Sequence, residues 1–211
     1  MRVIAIDGPA GAGKSTVAKA LARRLGLEYL DTGAMYRAVT FEAMREDMDL
    51  DDVDAVAALA RRVALEVGEG GVFVDGIDAT SAIRTPEVTS SVSKVAANSG
   101  VRTEMRARQQ AWAAERGGGV IEGRDIGSVV FPDAELKLYL TASPRVRAER
   151  RVSEAGGDVD EIERAIATRD LYDSTRVDSP LTEAAGSTLV DTTGLTIDEV
   201  LDRIVRLLEH A

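Results

Sequence analysis

The sequence predicts an α/β fold, a mainly parallel sheet covered on both faces by helices and carrying a phosphate-binding loop. Three observations lead there. Short β-branched runs alternate with segments of helical period along most of the chain. Gly8-Pro9-Ala10-Gly11-Ala12-Gly13-Lys14-Ser15 satisfies G-x-x-x-x-G-K-[ST] between the first strand and the first helix. A hairpin pattern in the middle interrupts the alternation and marks an inserted lobe.

Taken in order, Arg2-Val3-Ile4-Ala5-Ile6-Asp7 is short and apolar and reads as the first strand. The helix after the glycine loop repeats Val17, Leu21 and Leu25 at four-residue spacing, with Gly26 placed to cap it. Leu27-Glu28-Tyr29-Leu30-Asp31 predicts a second strand, and 34–45 is again helical in composition. Val63-Ala64-Leu65-Glu66-Val67 and Val72-Phe73-Val74-Asp75 flank Gly68-Glu69-Gly70-Gly71 as two antiparallel strands would. Pro86 opens a helix with Val88, Val92 and Val95 on one face; Val101, Met105 and Trp112 mark the core side of the next, which Gly117-Gly118-Gly119 closes. Strands resume at Val120-Ile121-Glu122 and Leu136-Lys137-Leu138-Tyr139-Leu140. A last one, Ser187-Thr188-Leu189-Val190-Asp191, precedes a helix whose Ile197, Val200, Leu201, Ile204, Val205 and Leu208 form one apolar stripe.

Composition narrows the function. At 211 residues and 45% hydrophobic, the chain can bury roughly 70% of its unfolded surface and should fold unaided. Apolar runs are too short for a membrane span or a signal-peptide core, so a cytoplasmic location is expected. With no cysteine, disulfides, thiolate metal sites and cysteine nucleophiles are excluded; the single histidine, His210, is penultimate, where chain ends fray, so a histidine base is not expected. A net charge of -10 argues against nucleic-acid and anionic-membrane partners. Small anions remain, because a few arginines in a cleft suffice to bind them.

The glycine loop specifies which anion. Its glycines let backbone N–H groups converge on phosphate oxygens, Lys14 reaches the β and γ phosphates, and the Ser15 hydroxyl suits Mg²⁺. Such a loop establishes nucleoside triphosphate binding and leaves two classes open, a kinase with a small acceptor and a nucleotide switch or motor with water as acceptor. Asp191-Thr192-Thr193-Gly194 fits a switch-type D-x-x-G, but the chain has neither N-K-x-D nor L-S-G-G-Q, and the segment sits where the last strand should end.

A kinase acting on a phosphorylated acceptor needs cations for a second anion. Three clusters qualify. Arg145-Val146-Arg147-Ala148-Glu149-Arg150-Arg151 runs into Gly156-Gly157, as a mobile lid would. Arg169, Asp173 and Arg176 share one stripe of a helix beginning near Asp160. Glu122-Gly123-Arg124-Asp125 follows a strand directly, at the edge where parallel sheets bind ligands; Arg124 can grip phosphate and Glu122 can hold Mg²⁺ waters.

Together these residues resemble the bacterial cytidylate kinases. The resemblance rests on Ile6-Asp7 with the glycine loop, Leu30-Asp31-Thr32-Gly33-Ala34-Met35-Tyr36-Arg37, Ile83-Arg84-Thr85-Pro86-Glu87-Val88 and Val92-Ser93-Lys94-Val95-Ala96-Ala97. Gly123-Arg124-Asp125-Ile126-Gly127-Ser128-Val129-Val130-Phe131-Pro132-Asp133-Ala134 and Arg169-Asp170 through Arg176 match as well, in the family's order. It implies a nucleoside-monophosphate-kinase core over 1–31, 98–146 and 162–211, a monophosphate-binding lobe over 32–97 with an insertion at about 63–97, and a lid over 147–161. The implied reaction passes the γ-phosphoryl of ATP to CMP or dCMP, with Mg²⁺, nucleotides as the only partners, and a monomer.

By matching position, Gly8 to Ser15, Thr16 and Arg151 would serve ATP, while Arg37, Arg124 and Arg176 would engage the CMP phosphate region, near Thr32, Gly33 and Tyr36. Arg169 and Asp173 would meet the sugar; Ser93, Arg102 and Asp125 the base. Lys14, Arg124, Arg147, Arg150 and Arg176 would stabilise the transferring group, and Ser15, Asp31 and Glu122 would shape the Mg²⁺ shell, the carboxylates through water. A carboxylate facing the cytosine N4 amino group, with cationic or hydroxyl donors facing N3 and O2, is the chemistry that base demands.

Overall fold

The computed structural model describes residues 1–68 and 70–209; Glu69, His210 and Ala211 lie outside them. The chain runs β1 (Arg2–Asp7), α1 (Lys14–Leu25), β2 (Tyr29–Asp31), α2 (Thr32–Arg45), α3 (Val53–Arg62), β3 (Leu65–Gly68), β4 (Gly71–Val74) and β5 (Ile77–Asp78). It continues through a 3₁₀ turn (Ala82–Arg84), α4 (Pro86–Ala97), α5 (Ser99–Arg116), β6 (Gly118–Gly123) and a π-helical turn (Ile126–Val130). β7 (Leu136–Thr141), α6 (Pro144–Ala155), α7 (Val159–Thr175), β8 (Thr188–Asp191) and α8 (Ile197–Leu208) complete it.

Two compact units result, Met1–Tyr29 with Arg116–Ala211, and Leu30–Glu115. In the first, the sheet order is β2-β6-β1-β7-β8, and the pairs β1–β6, β1–β7 and β7–β8 run parallel. β1 takes the centre because its residues from Val3 to Asp7 are all buried, as a strand covered on both faces requires. Ile4, Ile6, Leu138, Leu140 and Val190 from the sheet pack with Val17 and Leu21 of α1 and Val200, Leu201 and Ile204 of α8. Both helices are closed by local chemistry: Gly26 ends α1 in the left-handed conformation, and Thr196 with Glu199 forms a reciprocal capping box at the start of α8. Ile4 is fully buried at the centre of this core, so Ile4→Ala should cost about 2–5 kcal/mol of unfolding free energy. Urea titration would measure it, and a loss below 1 kcal/mol would mean that the core collapses around the deletion.

The second unit joins the antiparallel sheet β3-β4-β5 to helices α2 to α5. α3 and β5 add to the elements expected from sequence. α3 begins where the Asp52 carboxylate accepts the Ala55 N–H, and Val56, Leu59 and Ala60 form its buried face. α5 belongs by its contacts to this unit, although the sequence reading placed 98–115 with the core. Arg108 donates to the carbonyls of Val63 and Ala60, and Gly100 lies against Ala57, which ties α5 to α3.

Three local details differ from expectation. β6 starts at Gly118, because the main chain there already pairs with Arg2; the glycines are part of the strand. Trp112 is only half-buried, and Gln109 and Ala113 take the core side of α5 with Val101 and Met105. The π-helical turn after Asp125 was not foreseen: Val129 and Val130 both donate to the Asp125 carbonyl. No helix among the described residues is long and apolar enough to cross a membrane.

Candidate active site

In the first unit the glycine loop leaves β1 at Gly8 and delivers Lys14 to the first residue of α1. Lys14 is 7% exposed, and its ammonium donates to the Pro9 carbonyl at 2.8 Å. Burial pulls its pKa down to about 7; Arg124 and Arg169 push the same way, while Glu122 and Asp7 oppose them. Burial and Arg124 likewise lower Arg169, to about 10. Three mutually repelling cations held together, one of them at a helix N-terminus beside a glycine loop, form a site that favours anions.

The carboxyl end of β6 and helix α7 build the rest. Arg124 Nε donates to Asp173 Oδ2 at 3.0 Å, and Arg169 Nε lies 3.9 Å from the same oxygen. Arg176 sits 3.6 Å from Asp125 Oδ1 and also donates to the Ser179 carbonyl. Arg169 and Asp173 on α7, and Arg176 at its extended C-cap, thus face the strand end that carries Arg124 and Asp125; the expected helical stripe holds for the first two, while Arg176 lies beyond the last helical residue, Thr175. Glu122, buried on β6, accepts from the Tyr29 hydroxyl, and Tyr29 in turn lies under Lys19.

Helix α6 is tied to the glycine loop. Arg147 is 6% exposed; it donates to the carbonyls of Ala142 and Ala10, and its guanidinium pairs with Asp170, whose other oxygen accepts the Ala10 N–H. Arg150 donates to the side chain and carbonyl of Thr192, and Thr192 also reaches the Ala12 and Thr141 carbonyls. Arg151 pairs with Glu154. Arg145 pairs with Asp160 and Glu163, joining α6 to α7 around Gly156-Gly157.

In the second unit Thr32, Gly33, Tyr36 and Arg37 occupy the first turns of α2. Asp31 caps that helix through Ala34 N–H at 2.9 Å, and its second oxygen pairs with Arg84. Arg37 donates to the Ile83 carbonyl and to Thr89. Arg102 is buried, donates to the Ala96 carbonyl and stacks over the Tyr36 ring at 5.5 Å; Ser93 is half-buried on α4.

Sequence reasoning missed Asp7, Tyr29, Asp170 and Thr192. A signal existed for two of them: an acidic residue ending an all-apolar strand, and the D-x-x-G segment, which proves to bridge the loop, β7 and α6. Tyr29 and Asp170 carried none, because their partners lie 93 and 23 residues away.

The family model described as "Cytidylate kinase" matches residues 4–210. The cytidylate kinase of Desulfitobacterium hafniense (strain Y51) is 50% identical over 212 residues, covering 97% of this chain and 91% of that protein. That of Desulforamulus reducens (strain ATCC BAA-1160 / DSM 100696 / MI-1) is 50% identical over 216 residues, covering 99% and 97%. A shikimate kinase from Acinetobacter baumannii, solved in complex with shikimate, has a TM-score of 0.53 at 15% identity over 100% of this chain and 94% of that one, which shows a shared fold. With a family match spanning nearly every residue, and half the residues identical in relatives aligned over more than nine-tenths of their own length, the chain belongs to the cytidylate kinase family.

Proposed function

We propose that the protein transfers the γ-phosphoryl group of ATP to CMP or dCMP, giving ADP and CDP or dCDP. The observation that carries the reading is the convergence of Lys14, Arg124 and Arg169 at the head of the glycine loop. A triphosphate and a monophosphate bring several negative charges together, and only a cluster of cations makes that assembly favourable.

The displacement is direct and in line. An oxygen of the CMP phosphate bonds to the γ-phosphorus as the bond to the β,γ-bridging oxygen breaks, and ADP leaves. A phosphate monoester has its second pKa near ~6, so at neutral pH the attacking oxygen is already deprotonated and no base is needed. A chain whose one histidine is penultimate is compatible with that chemistry. Lys14 neutralises the β and γ phosphates, Arg150 and Arg151 serve the donor, and Arg147 holds the loop that presents it. Arg124 and Arg176 take the acceptor phosphate; Arg169 and Asp173 take the sugar. Asp125 accepts from the cytosine amino group. The connection at 156–158 between α6 and α7 is the flexible turn within the lid. The reaction is that of a cytoplasmic monomer.

No group of three or more Asp, Glu, His or Cys able to hold a metal ion exists among the described residues. Mg²⁺ held mainly by nucleotide phosphates needs only one or two protein oxygens. The exposed Ser15 hydroxyl and the Glu122 carboxylate fit that need; Asp31, assigned to the same shell, has both oxygens engaged within its own unit. Bound there, the ion would offset charge on the phosphates.

With ATP and Mg²⁺, a coupled ADP-release assay over the common monophosphates should show CMP turnover far above acceptor-free ATP hydrolysis. Equal rates with and without every acceptor would sink the kinase reading. Base recognition is tested separately. Asp125→Asn should lower CMP efficiency and shrink the CMP-over-UMP preference by about 1–3 kcal/mol, because an amide can turn its NH₂ toward the uracil O4. Arg124→Ala should weaken both substrates alike.

A further inference from the structure

Asp7 ends the central strand and directly precedes Gly8 of the glycine loop, yet the two hydrogen bonds its carboxylate accepts come from neither. It is 3% exposed, and both of its oxygens are taken by main-chain donors far away in sequence. Ile126 N–H donates to Oδ1 at 2.8 Å and Gly127 N–H to Oδ2 at 2.7 Å. These residues open the π-helical turn, are themselves buried, and follow at once on Gly123-Arg124-Asp125. In the sheet Asp7 is registered beside Gly123, so its carboxylate reaches over the end of β6 to catch the chain as it leaves the strand.

The turn also packs closely on Lys137: a Cβ on Gly127 would lie 3.1 Å from that side chain. Its geometry is unusual. The Asp125 carbonyl accepts two N–H groups, from Val129 and Val130, and the Asp125 backbone stands at φ -146 and ψ 23. π-helical turns are rare and are found frequently at functional sites. The Asp125 carboxylate is thus carried by a backbone that leads straight into a turn whose first two N–H groups are both fixed by Asp7, with Arg176 3.6 Å from its Oδ1.

A carboxylate is the group the geometry requires. Two converging donors need two acceptors; an amide offers one and turns an NH₂ toward the other N–H. Two buried backbone donors left without partners would carry a large penalty. Burial, against the two hydrogen bonds and Lys14, holds the Asp7 carboxyl at about 6, with Asp125 adding to the rise. A carboxylate in so unfavourable a place depends on the hydrogen bonds it accepts, as the two amide donors depend on it.

We propose that Asp7 is a positioning residue that aims Asp125 at the base, and so ties acceptor recognition to the strand that carries the donor loop. This rests on the reading of Asp125 as the base-reading carboxylate. The experiment compares Asp7→Asn and Asp125→Asn, with Asp7→Ser as a second small variant able to accept one N–H. Steady-state efficiency is measured with CMP and UMP, ATP affinity by calorimetry, and the exchange of the Ile126 and Gly127 amides by NMR.

Asp7→Asn is expected to raise the KM for CMP, to lower the CMP-to-UMP ratio by about tenfold, and to expose the two amides to exchange, with ATP affinity within about twofold of the parent. Asp7→Ser should follow the same pattern. A general loss of stability would lower both substrates together and leave their ratio alone. An unchanged ratio in both Asp7 variants, while Asp125→Asn lowers it, overturns the positioning role alone. If Asp125→Asn itself leaves the ratio unchanged, the base reading falls and the proposal falls with it.

Discussion

Lys14→Met should lower phosphoryl transfer by about 10³-fold while leaving CMP binding intact. The ammonium is the only lysine charge in the loop, and the transferring group spreads its negative charge over oxygens that this loop surrounds. Methionine keeps the length and the apolar stem of the buried side chain, so the loop should persist. CMP is assigned to other residues, and calorimetry on the folded variant should return its parental affinity; an equal loss of CMP affinity would overturn the separation of donor and acceptor sites.

The same residue predicts a pH effect. An ordinary lysine holds its proton to about 10.5, whereas Lys14 gives it up at about 7, chiefly through burial and then through Arg124 and Arg169. Phosphates brought against it favour the charged form. Between these two values ATP binding must therefore take up a proton, and its affinity should fall as pH rises, by at most about tenfold per unit. Calorimetry in two buffers of different ionisation heat reads the uptake directly. Lys14→Met should abolish this component, and uptake that persists in the variant would assign it to another group.

The second large effect is structural. Gly8→Ala is expected to lower the melting temperature by about 10 °C or more, or to prevent folding. Gly8 stands at φ 145, and a Cβ there would lie 2.0 Å from the Leu140 carbonyl oxygen. That oxygen belongs to the backbone of β7, paired to β1 through Ile6 with Leu138 and Asp7 with Tyr139, so relief would require the two strands to part. Gly26→Ala provides the control. Its φ of 64 is also left-handed, but nothing lies within 4 Å of the new methyl, and the cost should stay near about 1 kcal/mol. Equal melting shifts for the two variants would mean that the junction of β1 and β7 adapts.

How much of this was legible beforehand follows from the range of the interactions. β1, α1, α4, α7 and α8 were readable because period, caps and punctuation act within a few residues. The glycine loop was readable for the same reason: its chemistry lies in eight consecutive positions. Arg169 and Asp173 do share one face of α7, since helical geometry relates i and i+4 without knowledge of the fold, whereas Arg176 stands just past the helix as its extended C-cap and reaches Asp125 through the tertiary structure.

What the tertiary structure decided is which partner each charged side chain meets. Arg147 was expected in a mobile lid, yet it is buried against the glycine loop. α6 starts immediately beyond β7, so its first turn lies at the carboxyl edge of the sheet where the loop also lies, and only the later turns extend away. Asp7 showed in the sequence as no more than the end of a strand. Its role depends on β1 and β6 lying side by side in register, which brings together residues 119 and 120 positions apart. Local sequence determines the elements and the loop, because backbone propensity and capping are short-ranged. The pairing of buried charges waits for the sheet order, because a carboxylate selects its donors only once folding has removed water from both.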